Sequence, residues 1–504
     1  MASVSTLDLD WLFSAPSRFP PSPLCPPILA GHTDDSVQTL RILLKLNFQN
    51  HHIFINELGF HKSPSLSYYP VNYIDHLGDP KYYQSYYAFF ASRLQEKGVS
   101  KTLEEYIYSR KANYDGQHGN DQPKMFSRFL GGLYHPMIHL GYGLEFGVVG
   151  VVAGALAEMA VHETHISPLI PASSWDDESL LGEISLASRM TSLSLGHTAP
   201  EFNDVSPAPS SRTEEISLFN ILAMIQRDES MTTQAVGITE ITKTSYYEVV
   251  DKLQGALLKE VRFRIMYANM WTLNIARSTA DDREVERKIE EFAFAVTLMY
   301  GVGGWGTNEE RPFRADFALM HLVTSSLFFP EIVAYFPPHA IRLLLRSYLC
   351  TALALWITKQ KPALRIKEFM KSTSISPQDP NATLKLSHKP VKDTLTPEAV
   401  TPNPWLAIVP SVLEHPDDHL CKITRSLMHW ANLFGSRPVG HWAGGKAELE
   451  GIEALDGTLF LRVAGLTMGE LGWAKEGQDV GEWDHSLPPG IPARVHAARF
   501  GKSH

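Results

Sequence analysis

The chain has 504 residues, 44% of them hydrophobic and 20% charged, which is the composition of a soluble globular protein rather than of a disordered or membrane-embedded one. Its formal net charge of −10 comes without any long basic run, which argues against nucleic acid as the main partner. Cys25, Cys350 and Cys421 are far apart and form no CxxC pair, so a disulfide framework or zinc ribbon is not expected and a reducing, cytoplasmic setting is.

The opening MASVSTLDLDWLF lacks a basic n-region followed by an apolar h-region and does not read as a secretory signal. Residues 1–35, rich in Pro and Ser, are expected to be disordered or loosely packed. Helical spacing begins at Val37 to Phe48, and a tyrosine-rich amphipathic helix is predicted over Lys81 to Lys97. The uncharged run Phe146 to Ala157, bracketed by Glu145 and Glu158, is too short to span a bilayer and reads as a buried helix, as does Ile341 to Ile357 with its two arginines. Ser167 to Glu214 is polar and predicts a long loop with one short helix near Leu180 to Arg189.

Long helical patterns follow at Ile216 to Arg227, Tyr246 to Thr279, Asp282 to Tyr300, Arg314 to Phe336 and Pro338 to Gln360, with breaks at the prolines. A second Pro/Ser/Thr-rich linker covers Ser372 to Pro404, and Pro410 to Phe434 is helical again. In the tail, GTLFLRVA (Gly457 to Ala464) alternates and reads as strand. The fold class predicted is mainly α: a large single-domain helical, bundle-like architecture over residues 36–470, with loop insertions near 167–214 and 372–404 and a small β-containing C-terminal tail, residues 471–504 trailing beyond it.

The chemistry-bearing residues concentrate in Arg128 to His165, which sets His135, His139, His162 and His165 in an apolar, Gly-rich run. A buried imidazole needs a partner, and neutral imidazole is a common metal ligand. His135 and His139 are four apart, so a helix would bring both to one ion, although Pro136 places His135 at the helix entrance. The same spacing fits two histidines bonded to backbone carbonyls. HETH is not the zincin HExxH, and His162 and His165 at a helix end also suit the helix dipole. His321 stands alone in DFALMHLVTSSLFF, with Asp316 and Thr324 near enough in sequence to bond it as a core histidine. In DDHLCKITR, Asp417 and Asp418 suit a helix start and His419 and Lys422 share a face. Those two fit either an N-capped surface helix or a metal site in which Lys422 becomes a carbamate. GVGGWG (Gly301 to Gly306) matches GxGxxG, but it follows a helical pattern rather than a strand and reads as a helix stop and loop.

Taken in order, NHHIFINELGFH (Asn50 to His61), NYIDHLGD (Asn72 to Asp79), GGLYHPMIHLGYGLEF (Gly131 to Phe146), AEMAVH (Ala157 to His162), DFALMHLVTSS (Asp316 to Ser326), DDHLCKITRSL (Asp417 to Leu427) and LDGTLFLRVAGLT (Leu455 to Thr467) resemble the questin oxidase-like family. The resemblance implies an oxidoreductase of aromatic polyketide secondary metabolism, mycotoxin pathways included. It would open an anthraquinone ring in a Baeyer–Villiger-like reaction with dioxygen and NADPH, and would engage neither nucleic acid nor membrane. The family lacks a flavin fingerprint, as does this chain, and a non-haem Fe(II) fits that absence. On that reading the resemblance implies a metal-ligand role for His135, His139, His321, His419 and a modified Lys422, with His162 in reserve. One departure stands out: where a family member continues GFH with a His-rich helix, this chain passes from His61 to KSPSLSYYP, and Ser63 stands where a histidine is expected. The helix is either lost from the protein or dropped from the gene prediction. Two competing readings follow, a metal-free NADPH-dependent oxidoreductase and an inactive, truncated paralogue.

Overall fold

The computed structural model of the chain describes residues 9–12, 54–55, 61–62, 73–116, 122–175, 215–232, 267–275, 282–306, 313–374, 403–443 and 449–485. The helices expected at Val37 to Phe48 and Leu180 to Arg189, and the departure at Ser63, lie outside these residues. Just before that departure, β1 (Phe54–Ile55) pairs antiparallel with β2 (His61–Lys62), Phe54 opposite Lys62 and Ile55 opposite His61. At the N-terminus Leu9–Leu12 is a single helical turn whose Leu12 is buried in the core.

The rest of the described architecture is helical. The longer helices are α1 (Tyr83–Leu103), α2 (His135–Glu145), α3 (Val149–Val161), α4 (Leu218–Arg227), α5 (Asp282–Thr297), α6 (Phe317–Ser326), α7 (Pro338–Thr358), α8 (Trp405–Glu414), α9 (Asp418–Phe434) and α10 (Leu459–Leu471). Their starts follow from local chemistry. Ser217 accepts from the Asn220 N–H in a capping box ahead of α4. Asp316 accepts from the Ala318 and Leu319 N–H groups ahead of α6, and Asp417 from those of His419 and Leu420 ahead of α9. α2 is entered through two left-handed residues, Leu133 (φ 53°) and Tyr134 (φ 67°), and carries Pro136 in its first turn.

α2 lies against α3, which also packs on α1; α6 packs on α5, α9 and α2, and α9 on α10. The buried hydrophobics form one continuous cluster that includes the fully enclosed Trp271, Trp356, Trp430 and Trp473. Among the described helices, α7 is long and apolar enough to cross a membrane, yet 83% of its apolar window is buried within the molecule.

Two sequence expectations are corrected. GTLFLRVA is not a strand: its residues from Leu459 onward are the start of α10, and the extended pairing of the described tail is a single bridge, Asp316 with Asp484. The helix expected through Thr279 stops at residue 270, because the chain leaves the helix to place the Trp271 indole N–H on the Glu291 carboxylate at 2.7 Å and the Thr272 N–H on the Ile216 carbonyl at 3.1 Å. Elsewhere, a π turn, Leu298–Val302, extends α5, and the chain leaves helix within the Gly301 to Gly306 motif.

Candidate functional site

Three helices deliver one imidazole each to a common point. His135 opens α2, His321 sits mid-way along α6 and His419 lies in the first turn of α9. One ring nitrogen from each lies within 4.8 Å of the others, and all three side chains are buried. The rings of His135 and His321 are 5.0 Å apart centre to centre, and those of His321 and His419 5.5 Å.

Each ring is held from behind. His135 Nδ1 donates to the Gly132 carbonyl at 2.5 Å, and His321 Nδ1 donates to the Phe317 carbonyl at 2.7 Å. These bonds fix the tautomer and leave Nε2 as the lone-pair nitrogen. His419 Nδ1 faces Asp418 at 3.2 Å and Asp417 at 3.6 Å, while its Nε2 is buried without a hydrogen-bond partner. A buried imidazole nitrogen left bare with two others, all within 4.8 Å of one another, is the donor chemistry of a divalent transition metal. The residues therefore fit such an ion.

Burial, reinforced by the neighbouring imidazole (His321 for His135, His419 for His321), holds both well below the ordinary histidine range. Both stay neutral, as a ligand must. His419 differs: burial pulls it down, but the hydrogen bonds to Asp417 and Asp418 prevail and raise it, so an ion would bind there in exchange for a proton. Burial would raise Asp417, yet its bond to His419 and further hydrogen bonds bring it down to about 2.

The other three sequence candidates lie beside this triad but are engaged elsewhere. His139, one turn after His135, turns its Nδ1 to Glu158 at 2.5 Å, and its ring centre is 6.5 Å from that of His135. His162 Nε2 meets the other oxygen of the same carboxylate at 3.4 Å. Lys422 Nζ pairs with Asp418 at 2.6 Å; its charge reaches the triad, helping to lower His135 and His321. His165 pairs with Glu163 at 2.6 Å. His321 is not bonded as the sequence suggested. Asp316 caps α6 and pairs with Lys359 at 2.9 Å, and the Thr324 hydroxyl donates to the His321 carbonyl rather than to its ring.

The group that sequence reasoning passed over is Glu158. It is buried on α3 between His139 and His162. Burial alone would raise its carboxyl, but charge and hydrogen bonding from His139, then His162, outweigh that and hold it well below the usual carboxylate range. Its i, i+4 spacing to His162 was the available signal.

Gly132 ties this pair to the triad. Its φ is +55°, and a Cβ added there would lie 2.5 Å from His162 Cε1. Its carbonyl is the one that holds His135. Gly132→Ala combines a left-handed penalty of ~1–2 kcal/mol with overpacking of ~1–3 kcal/mol. A net loss of about 2–5 kcal/mol by urea unfolding is the expected result, with His135 displaced.

A family model described as Questin oxidase-like matches residues 56–427, a span that contains all three triad histidines. The Baeyer-Villiger monooxygenase AacuH of Aspergillus aculeatus is 25% identical over 369 residues, covering 72% of this chain and 63% of that protein. The questin oxidase of Aspergillus terreus is 23% identical over 384 residues, 76% of this chain and 69% of that protein. The Baeyer-Villiger oxidase GME11358 of Pestalotiopsis microspora is 25% identical over 248 residues, 49% of this chain and 44% of that protein. The chain thus spans under two thirds of the first and third of these relatives.

Proposed function

Because the chain belongs to the questin oxidase-like family, we propose that it is an oxidoreductase that inserts oxygen into an aromatic polyketide, such as an anthraquinone, in a Baeyer–Villiger-type reaction, with Fe(II) held by His135, His321 and His419. The observation that carries this reading is the convergence of three buried imidazole nitrogens within 4.8 Å, one of them bare. Imidazole donors suit several metals, and the oxygenase names of the relatives favour a redox-active one. An iron ion held by His135, His321 and His419 would supply a redox centre able to activate dioxygen. One oxygen atom enters the polyketide and the other leaves as water, with two electrons from NADPH as the proposed reductant.

The chain's own residues supply the rest. The Gly132 and Phe317 carbonyls keep the protons of His135 and His321 on Nδ1. Asp417 and Asp418 anchor His419, and Lys422 in turn anchors Asp418. A carbamate on Lys422 would require it to release Asp418 first. Glu158 holds His139 by Nδ1, which keeps this part-exposed side chain one turn from His135.

The test is metal analysis of protein purified from iron-supplemented medium, followed by oxygen uptake with questin as substrate. Stoichiometric iron and oxygen uptake abolished by chelation are expected. Protein that neither contains nor takes up Fe(II) overturns the metal reading. Questin-dependent NADPH loss in chelated protein would favour the metal-free alternative, and iron without turnover the inactive paralogue.

A further inference from the structure

A segment beyond the family-matched residues 56–427 lies against Phe317, whose ring meets two of the triad histidines. We infer that Gly481 to His485 forms a strap that positions two of the three histidines through Phe317. The strap is fastened at one end to α10: the Gly481 N–H donates to the Leu471 carbonyl at 2.8 Å. A Cβ at Gly481 would lie 2.1 Å from the Glu470 carbonyl oxygen, so the close approach requires glycine. At its other end the Asp484 N–H donates to the Ala315 carbonyl at 2.8 Å and the Asp484 carbonyl accepts from the Phe317 N–H at 3.0 Å, a parallel bridge laid on the residues that start α6. The Asp484 carboxylate pairs with Arg314.

Phe317 is where the strap meets the site. Its N–H is taken by the strap, and its carbonyl receives His321 Nδ1. Its ring has the His485 imidazole at 4.3 Å, the Trp483 indole at 6.3 Å, and the rings of His321 and His419 at 4.7 and 4.9 Å, centre to centre. A shift of the strap therefore moves both the backbone carbonyl that sets the His321 tautomer and the apolar wall against which His419 rests. Groups of this kind behind a metal ligand are worth ~10–100-fold in metal affinity. Trp483 and His485 are positioning residues: both rings meet Phe317, the Trp483 indole also stabilises the Asp417 carboxylate that holds His419, and the His485 imidazole also acts on His321 through its charge.

This inference rests on the metal reading for one of its two readouts, and the second is independent of it. The full-length chain is prepared as wild type, Trp483→Ala, Trp483→Phe and His485→Ala. Co(II) titration followed by its visible spectrum is the first readout; the second is the metal-free protein with ¹⁵N-labelled histidine, in which the His321 Nδ1–H donated to Phe317 should be slow to exchange. The expected result for Trp483→Ala is Co(II) affinity lower by ~10–100-fold with an altered spectrum, faster exchange of that proton, and recovery of both in Trp483→Phe. His485→Ala, on an exposed side chain, is expected to show the same in smaller measure and guards against misfolding of the first variant. Wild-type affinity, spectrum and exchange in both Ala variants, with only a lowered melting temperature, overturn the strap. If wild type binds no Co(II), the metal reading fails and the exchange readout alone decides.

Discussion

If the proposed metal site is right, His321→Ala is expected to abolish divalent-metal binding while leaving the helices in place. His321 is the central member of the triad, with His135 on one side at 5.0 Å and His419 on the other at 5.5 Å. Losing it removes a donor and leaves two imidazoles with no third nitrogen between them. Since partners behind a ligand already carry ~10–100-fold in affinity, loss of a ligand itself is expected to exceed about 100-fold. The change is read most directly as linkage: wild type should gain about 2.7 kcal/mol of stability at metal one hundred times its Kd, and His321→Ala none. Its metal-free stability should change far less than its holo stability, because the polar bond lost to Phe317 is offset by relief of a neutral imidazole crowded among others. Unaltered Co(II) affinity in His321→Ala would remove this residue from the site and with it the metal reading.

The parts of this site that were legible in the sequence were the local ones. Asp417 as a helix cap, the entrance of α2 at His135–Pro136, and the shared face of His419 and Lys422 all follow from spacing, and the structure has each. The triad itself is not local. His135, His321 and His419 belong to three helices, and nothing in the spacing of any one helix states which face meets the others; the family resemblance supplied that pairing. The misread tail has a different cause. Over GTLFLRVA alone, apolar residues alternate, but the buried set Leu459, Phe460, Val463, Ala464, Thr467, Met468 and Leu471 shows the helical period once the window reaches Leu471. A window of about two turns cannot separate the two periods. At Trp271 the limit was tertiary: the helix ends where an indole finds Glu291, a partner on α5 that no propensity records. Lys422 is the opposite case in the site: its ammonium is bound by Asp418, four residues before it on the same helix, a partner that the spacing itself offers.

Glu158→Gln is the substitution expected to cost most in the metal-free protein, about 3–5 kcal/mol, the range for breaking a buried ion pair by removing one partner. Glu158 receives His139 Nδ1 on one oxygen and His162 Nε2 on the other, and both Glu158 and His162 are almost fully enclosed. Glutamine keeps the shape but turns one acceptor into a donor, so one imidazole N–H loses its partner inside the fold. The pH dependence gives the sign independently. The folded-state carboxyl of Glu158 is depressed by its two histidines, so the unfolded chain binds the proton more readily and stability rises with pH. That contribution is fully present above the unfolded glutamate value of about 4.3 and is lost as pH falls below it toward the folded value. The gap between wild type and Glu158→Gln should therefore be widest near neutrality and narrow below about pH 4. Urea unfolding of both proteins at pH 7, 5 and 3.5 measures it. A gap that is absent at pH 7, or that widens on acidification, would show that Glu158 is not the ionised anchor of His139.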